Sequence, residues 1–196
     1  MRKAMNGAGL LLGIAVTSLV VGCSSPQPGQ AVPGPSSTAT ASQSASPSSD
    51  TAEADSTLAA VQPCTLLTSQ DIVQFKGQGP GKAEDTQTSG ATSACGWLGR
   101  SADDRSVSFG ILIRAAQGVD ELQPIGGAIR NGTVNSRTAR QLASNDGGCT
   151  LTLKVGERSR VDISVVVGGQ VDPTEACQIA SNIANIIEPK LPPEAK

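Results

Sequence analysis

The chain has 196 residues with 15 basic and 17 acidic side chains, and its net charge of −2 leaves no basic field for a nucleic-acid backbone. Phe75, Trp97 and Phe109 are the only aromatic residues, so base-stacking platforms and aromatic-lined grooves lack their usual material. Histidine is absent, which removes the commonest general base and metal ligand and disfavours serine–histidine catalysis and most zinc sites.

Arg2 and Lys3 give a positively charged start, and Ala8 to Val21 is almost wholly apolar. That is the n-region and h-region of an export signal, shorter than the roughly 20 residues of a permanent membrane span. Val20-Val21-Gly22-Cys23 follows, an aliphatic residue at −3, Gly at −1 and Cys at +1. It resembles the lipobox of bacterial lipoproteins. The resemblance implies cleavage after residue 22, a diacylglyceryl group on the Cys23 sulfur, and anchoring at the extracytoplasmic side of the cell membrane. The competing reading is an uncleaved anchor with an incidental thiol. Two or more acyl chains supply the double signal that stable anchoring needs.

From Ser24 to Thr57 the chain is Ser, Thr, Pro and Ala with no Lys or Arg, and Val32 is its only large aliphatic residue. Such a stretch buries too little apolar surface to offset its chain entropy, so residues 23–60 read as a disordered tether. As a flexible coil it would hold a domain on the order of 30 Å from the lipid. Residues 61–192 read as the globular domain and 193–196 as a tail.

The domain opens with Pro63-Cys64, and Thr68 with Asp71 three residues on predicts a capped short helix that packs Ile72 and Phe75. Gly77-Gln78-Gly79-Pro80-Gly81-Lys82 and the polar residues to Ser93 read as a loop. Gly81-Lys82 has the end of a phosphate-binding loop, but Ala83 replaces the magnesium-holding Ser or Thr and the glycine spacing is too short. Cys95-Gly96-Trp97-Leu98 predicts a short strand with Cys95 and Trp97 on one face, and the alternation at Val107, Phe109, Ile111 and Ile113 predicts another. Asp120 to Arg130 reads as a turn or short helix, Asn131-Gly132 as a hairpin turn, and Thr138 to Leu142 as a further strand.

Cys149, Leu151, Leu153 and Val155 alternate with polar residues, Gly156-Glu157-Arg158 turns the chain, and Val161, Ile163, Val165 and Val167 resume the alternation. This is an antiparallel hairpin with one face inward. Asp172-Pro173-Thr174-Glu175 starts a helix whose stripe, Ala176, Ile179, Ala180, Ile183, Ile186 and Ile187, has a period near 3.6 and ends at Pro189. The expected fold is α+β: an antiparallel sheet of about five strands, a short N-terminal helix, and a C-terminal helix packed on one face.

With Cys23 assigned to lipid, Cys64, Cys95, Cys149 and Cys177 remain, an even number that points to two disulfides in an exported domain. Of the three pairings, Cys64 with Cys95 and Cys149 with Cys177 is favoured, since each pair lies within one end of the domain. Each bridge would contribute about 3 to 4 kcal/mol in the chain-entropy model. A four-thiolate metal site or a redox pair is the alternative, against which stands the lack of C-x-x-C spacing.

Pro63-Cys64-Thr65-Leu66-Leu67, Cys95-Gly96-Trp97, Cys149 on a strand before a hairpin, and Asp172-Pro173 with Ala176-Cys177 together resemble an actinobacterial lipoprotein family, the 3558 family among the domains of unknown function. The likeness covers about Val61 to Pro192. It implies an exported lipoprotein with a compact helix-and-sheet domain and no established activity.

The functional expectation is therefore a membrane-anchored, non-catalytic module of the cell envelope that binds an envelope protein or a small ligand, with no catalytic set, cofactor or metal. The alternatives are an envelope hydrolase using carboxylates such as Asp103-Asp104, Glu84-Asp85 or Asp120-Glu121, and an accessory subunit of an envelope assembly. Adjacent acids on a strand point to opposite faces, which favours solvated loop charges. Trp97, beside a bridged cysteine, reads as core rather than ligand anchor.

Overall fold

In a computed structural model the described residues are 55–87 and 89–195. The signal segment 1–22, Cys23 and the tether as far as position 54 lie outside them. Seven strands form one antiparallel sheet: β1 (Gly77–Ala83), β2 (Ser93–Arg100), β3 (Ser106–Arg114), β4 (Gly127–Val134), β5 (Arg137–Ser144), β6 (Gly148–Gly156) and β7 (Ser159–Val167). Their order is β1-β2-β3-β7-β6-β5-β4, two meanders joined where β3 pairs with β7. The α+β class and the helices stand as expected, but the sheet has seven strands rather than about five.

The alternating residues do what their period requires. Phe109, Ile111 and Ile113 on β3 register against Val165, Ile163 and Val161 on β7, which register in turn with Cys149, Leu151 and Leu153 on β6. All nine are buried on the inner face. The two-residue turn Glu157-Arg158 closes the β6–β7 hairpin where expected. Three short helices or turns and one long helix cover this face. α1 (Ser56–Ala59) precedes position 61, is capped by Asp55, and buries Leu58 completely. α2 (Ser69–Gln74) has the capping box: the Asp71 N–H donates to Thr68 Oγ1 at 3.2 Å, and the Thr68 N–H donates to Asp71 Oδ2 at 2.9 Å. α3 (Thr174–Ile187) lies across β6 and β7 on Ala176, Ala180, Ile183, Ala184 and Ile187, whose small members bring the helix axis close to the sheet. Among the described residues no helix is long and apolar enough to cross a membrane.

Two expected elements are corrected. The glycine-rich stretch 77–82 is not a loop but the edge strand β1, bulged between Gln78 and Lys82. Glycine is required there for closeness: a Cβ at Gly81 would stand 2.5 Å from Cys95 Sγ and 2.6 Å from Trp97 Cε2. Pro80 and the bulge are tolerated because only one side of an edge strand is paired. Asn131-Gly132 is not a turn but lies inside β4, where Asn131 registers with Arg140 and Gly132 with Ala139. The chain reverses at Asn135-Ser136 instead, with Asn135 in the left-handed region at φ 51°. Between β3 and β4 the segment Ala115–Gly126, with one 3-10 turn at Val119–Glu121, crosses to the far edge of the sheet.

Candidate functional site

Both disulfides form with the favoured pairing. Cys64, in the 3-10 turn Pro63–Thr65, joins Cys95 on β2, and Cys149 on β6 joins Cys177 on α3. The second bridge fastens the long helix to the sheet it covers. Trp97 is buried to 2% exposure, stacked on Phe109 at 5.3 Å between ring centroids, and its indole N–H has no hydrogen-bond partner among the described residues. It is core, as expected.

The three acid pairs lie in three different connections between strands. Asp103 accepts from Arg105 and from Ser101 Oγ, and those hydrogen bonds hold its carboxyl down to about 2. Asp104 accepts from Arg100. Asp120 pairs with Arg140 at 3.2 Å, while Glu121 accepts the Gly118 N–H at 2.8 Å. Asp85 accepts the Gln87 N–H, and the Glu84 carboxylate lies over Gly96. All of these acids but Glu84 are thus engaged locally. Among the described residues no three His, Cys, Asp or Glu side chains gather as a metal would need.

Two buried charges, Arg160 and Asp162, sit on the outer face. Asp162 on β7, 3% exposed, accepts from Arg160 Nε at 2.9 Å, from Thr152 Oγ1 at 2.9 Å and from Arg114 Nε. Arg160 also donates to the Gly118 carbonyl at 2.6 Å, and Arg114 to the Ser89 carbonyl and to Gln117 Oε1. One carboxylate therefore ties two arginines, and through them the β3–β4 crossover and the β1–β2 loop, to the sheet. A second arginine knot holds the C-terminal chain, this one at the end of the inner face, since Arg137 has the parity of Ala139 on β5. Arg137, 5% exposed, donates to Glu188 Oε1, the Lys154 carbonyl and the Pro192 carbonyl, each at 2.9 Å. Hydrogen bonds from Asn135 and Arg137 hold the Glu188 carboxyl below its ordinary value, against its partial burial. These networks are internal to the domain and tie its segments together.

One concavity is different. Where α3 passes over β6 and β7, the inner face of β4 and β5 extends past it, and an open groove of about 360 Å³ lies between them. Register fixes its lining: Arg130 on β4 opposes Gln141 on β5, which opposes Leu151 on β6, and Gly132 opposes Ala139. Ser181 and Asn185, one turn apart on α3, form the other wall. Ser181 is spent on the Cys177 carbonyl at 2.8 Å. Arg130, Gln141 and Asn185 make no side-chain hydrogen bond or ion pair with any described residue. The floor is Gly132, Ala139 and Leu151, and a Cβ on Gly132 would meet nothing within 4 Å, so the recess continues to the backbone itself. A second concavity of about 360 Å³ lies on the outer face over Gly96, Gly110 and Ser164, rimmed by Leu98 and Val166.

A family model described as a protein of unknown function, DUF3558, matches residues 18–190. The chain belongs to the DUF3558 family. The match takes in Cys23, all four bridged cysteines and every strand of this DUF3558 domain. No curated protein and no solved structure matches it. Sequence reasoning on this DUF3558 chain did not single out Arg130, Gln141 or Asn185. Their convergence depends on the β4–β5 register, which was hidden by reading Asn131-Gly132 as a turn.

Proposed function

We propose that this DUF3558 protein is a membrane-anchored extracytoplasmic lipoprotein, lipidated on Cys23, whose domain is a non-catalytic binding module of the cell envelope that takes its ligand in the groove between α3 and the β4–β5 hairpin. The observation that carries the binding reading is a contrast in commitment. The buried arginines and all but one of the paired acids are hydrogen-bonded within the domain, whereas Arg130, Gln141 and Asn185 face an open recess without a side-chain partner among the described residues. Polar groups set over a small apolar floor are the ordinary composition of a small-molecule site. The export reading is supported by two disulfides, which persist in oxidising compartments, and by the lipobox-like Val20-Val21-Gly22-Cys23.

Two measurements test it. Intact-mass and fractionation experiments should find the mature protein in the membrane fraction with a diacylglyceryl-modified Cys23 terminus, and Cys23→Ala should release it or block its processing. An unmodified thiol at residue 23 refutes the anchor. For the module, envelope extracts are fractionated and screened by thermal shift against the wild type and Gly132→Val, which fills the groove floor. A ligand present at a hundred times its Kd adds about 2.7 kcal/mol of stability, a rise of several degrees. The rise should be lost in Gly132→Val; equal shifts in both proteins, or none in either, refute the groove.

A further inference from the structure

Resting on that groove as the binding site, we infer that its ligand is a small molecule bearing one carboxylate, which Arg130 grips while the rest of the molecule lies on Gly132, Ala139 and Leu151. Charge makes the first step. Among the described residues Arg130 and Arg140 are the only charged ones lining the groove, and Arg140 is already engaged with Asn131, the Val119 carbonyl and Asp120. Among the described residues that leaves Arg130 as the one lining cation without an acid beside it. A planar guanidinium offers two parallel N–H donors to a carboxylate, the geometry that makes such pairs strong.

Stoichiometry makes the second step. A phosphate monoester carries about −1.5 to −2 near neutral pH and is usually met by more than one cation or by a run of backbone N–H groups. The groove supplies one arginine, and it lies on the face of β4 and β5, whose backbone N–H groups point along the sheet plane rather than into the groove, and against a helix interior. A monoanionic carboxylate matches that supply. The amides of Gln141 and Asn185 each present two donors and an acceptor, suited to hydroxyl or amide groups on the same ligand. The volume of about 360 Å³ stands at the lower end of small-molecule sites, which limits the occupant to a small molecule. Acidic sugars and the C-terminal ends of short peptides both present this chemistry.

The experiment is an ¹⁵N NMR titration of the full-length protein in detergent with four probes: glucuronate, glucose, N-acetyl-alanyl-alanine and its C-terminal amide. Glucose 6-phosphate is a fifth arm. Carboxylate probes should move the resonances of Ala139, Leu151 and Asn185, with glucuronate and the free-acid peptide separating the two sources. Arg130→Gln should weaken the carboxylate binding about tenfold or more, the loss of one charge-assisted pair. Arg130→Lys should restore part of it, and Gly132→Val should abolish it. Neutral probes or glucose 6-phosphate binding as well as the carboxylates, or Arg130→Gln leaving affinity unchanged, overturns the carboxylate inference and leaves the groove standing. Probe shifts that persist in Gly132→Val, or no shift at the groove with any probe at millimolar concentration, overturn both.

Discussion

Replacing Gly81 with alanine is expected to destabilise the domain, and replacing Gly132 with alanine to leave it unchanged or more stable. Both glycines sit on edge strands and neither is in the left-handed region, so the two substitutions share their chemistry and differ in surroundings. An added methyl at Gly132 meets nothing within 4 Å. At Gly81 it would lie 2.5 Å from Cys95 Sγ, 2.6 Å from Trp97 Cε2 and 2.7 Å from Trp97 Cζ2. None of those atoms yields easily: the sulfur is tied to Cys64, and the indole is stacked against Phe109. Overpacking of this kind costs about 1–3 kcal/mol, whereas Gly→Ala stabilises by about 0.4–1 kcal/mol through the unfolded chain where the site can accept it. The net at Gly81 is a loss of about 1–2 kcal/mol, a fall in Tm of roughly 2–8 °C, against a gain of a few tenths to about 1 kcal/mol at Gly132. Paired urea and thermal melts followed by the fluorescence of the single tryptophan supply the assay. Shifts of the same sign and size at both positions would refute the claim that β1 is a strand built on close approach to Trp97.

Three further outcomes are expected. Asp162→Ala leaves Arg160 and Arg114 buried without their shared carboxylate and should cost about 3–5 kcal/mol in urea unfolding, since removing one partner strands the others. Removing the Cys149–Cys177 bridge as a double alanine variant should cost about 3–4 kcal/mol for its 28-residue separation, readable as a lower urea midpoint. Glu188 has a lowered folded pKa, so its stabilisation is present above its unfolded value of 4.5 and is lost as pH falls through the folded value. Acid titration of stability should therefore show a shallower fall below pH 4.5 in Glu188→Gln than in the wild type, and parallel curves would refute the role assigned to the Asn135–Glu188–Arg137 contacts.

Legibility followed periodicity. The β6–β7 hairpin, β3 and α3 were readable because their faces are uniformly buried, and burial imposes a period of two or 3.6 on the residues. The bridges were readable because each pair closes a short stretch between neighbouring elements. β1 was not, because its residues were selected for thinness over Trp97 and not for hydrophobicity, and thinness in sequence looks like a loop. β4 was hidden for a related reason: Gly132 faces the open groove, so no apolar alternation marks it. Arg160 and Asp162 occupy the polar positions that alternate with the apolar stripe of β7, and nothing in that alternation marks them as buried. They are buried because the β3–β4 crossover, which has no period of its own, is drawn over them. Arg130 became visible as a site only when the register placed Gln141 opposite it and α3 stopped short of both.

The two disulfides also decide how the domain would respond to tension along its chain. They close stretches spanning 31 and 28 residues, the first holding α2 and β1, the second holding β6, β7 and the start of α3. An extended residue contributes about 3.3–3.6 Å, so each loop withholds roughly 100 Å of contour length until it is reduced. In the oxidised protein, extension is directed into β3, β4 and β5, the stretch that carries Arg130 and Gly132, and into α3 beyond Cys177. Arg130, Gly132 and Ala139 of the groove lie in the extensible part of the molecule, whereas its floor residue Leu151 and the hairpin at the centre of the core lie in the part that cannot be paid out.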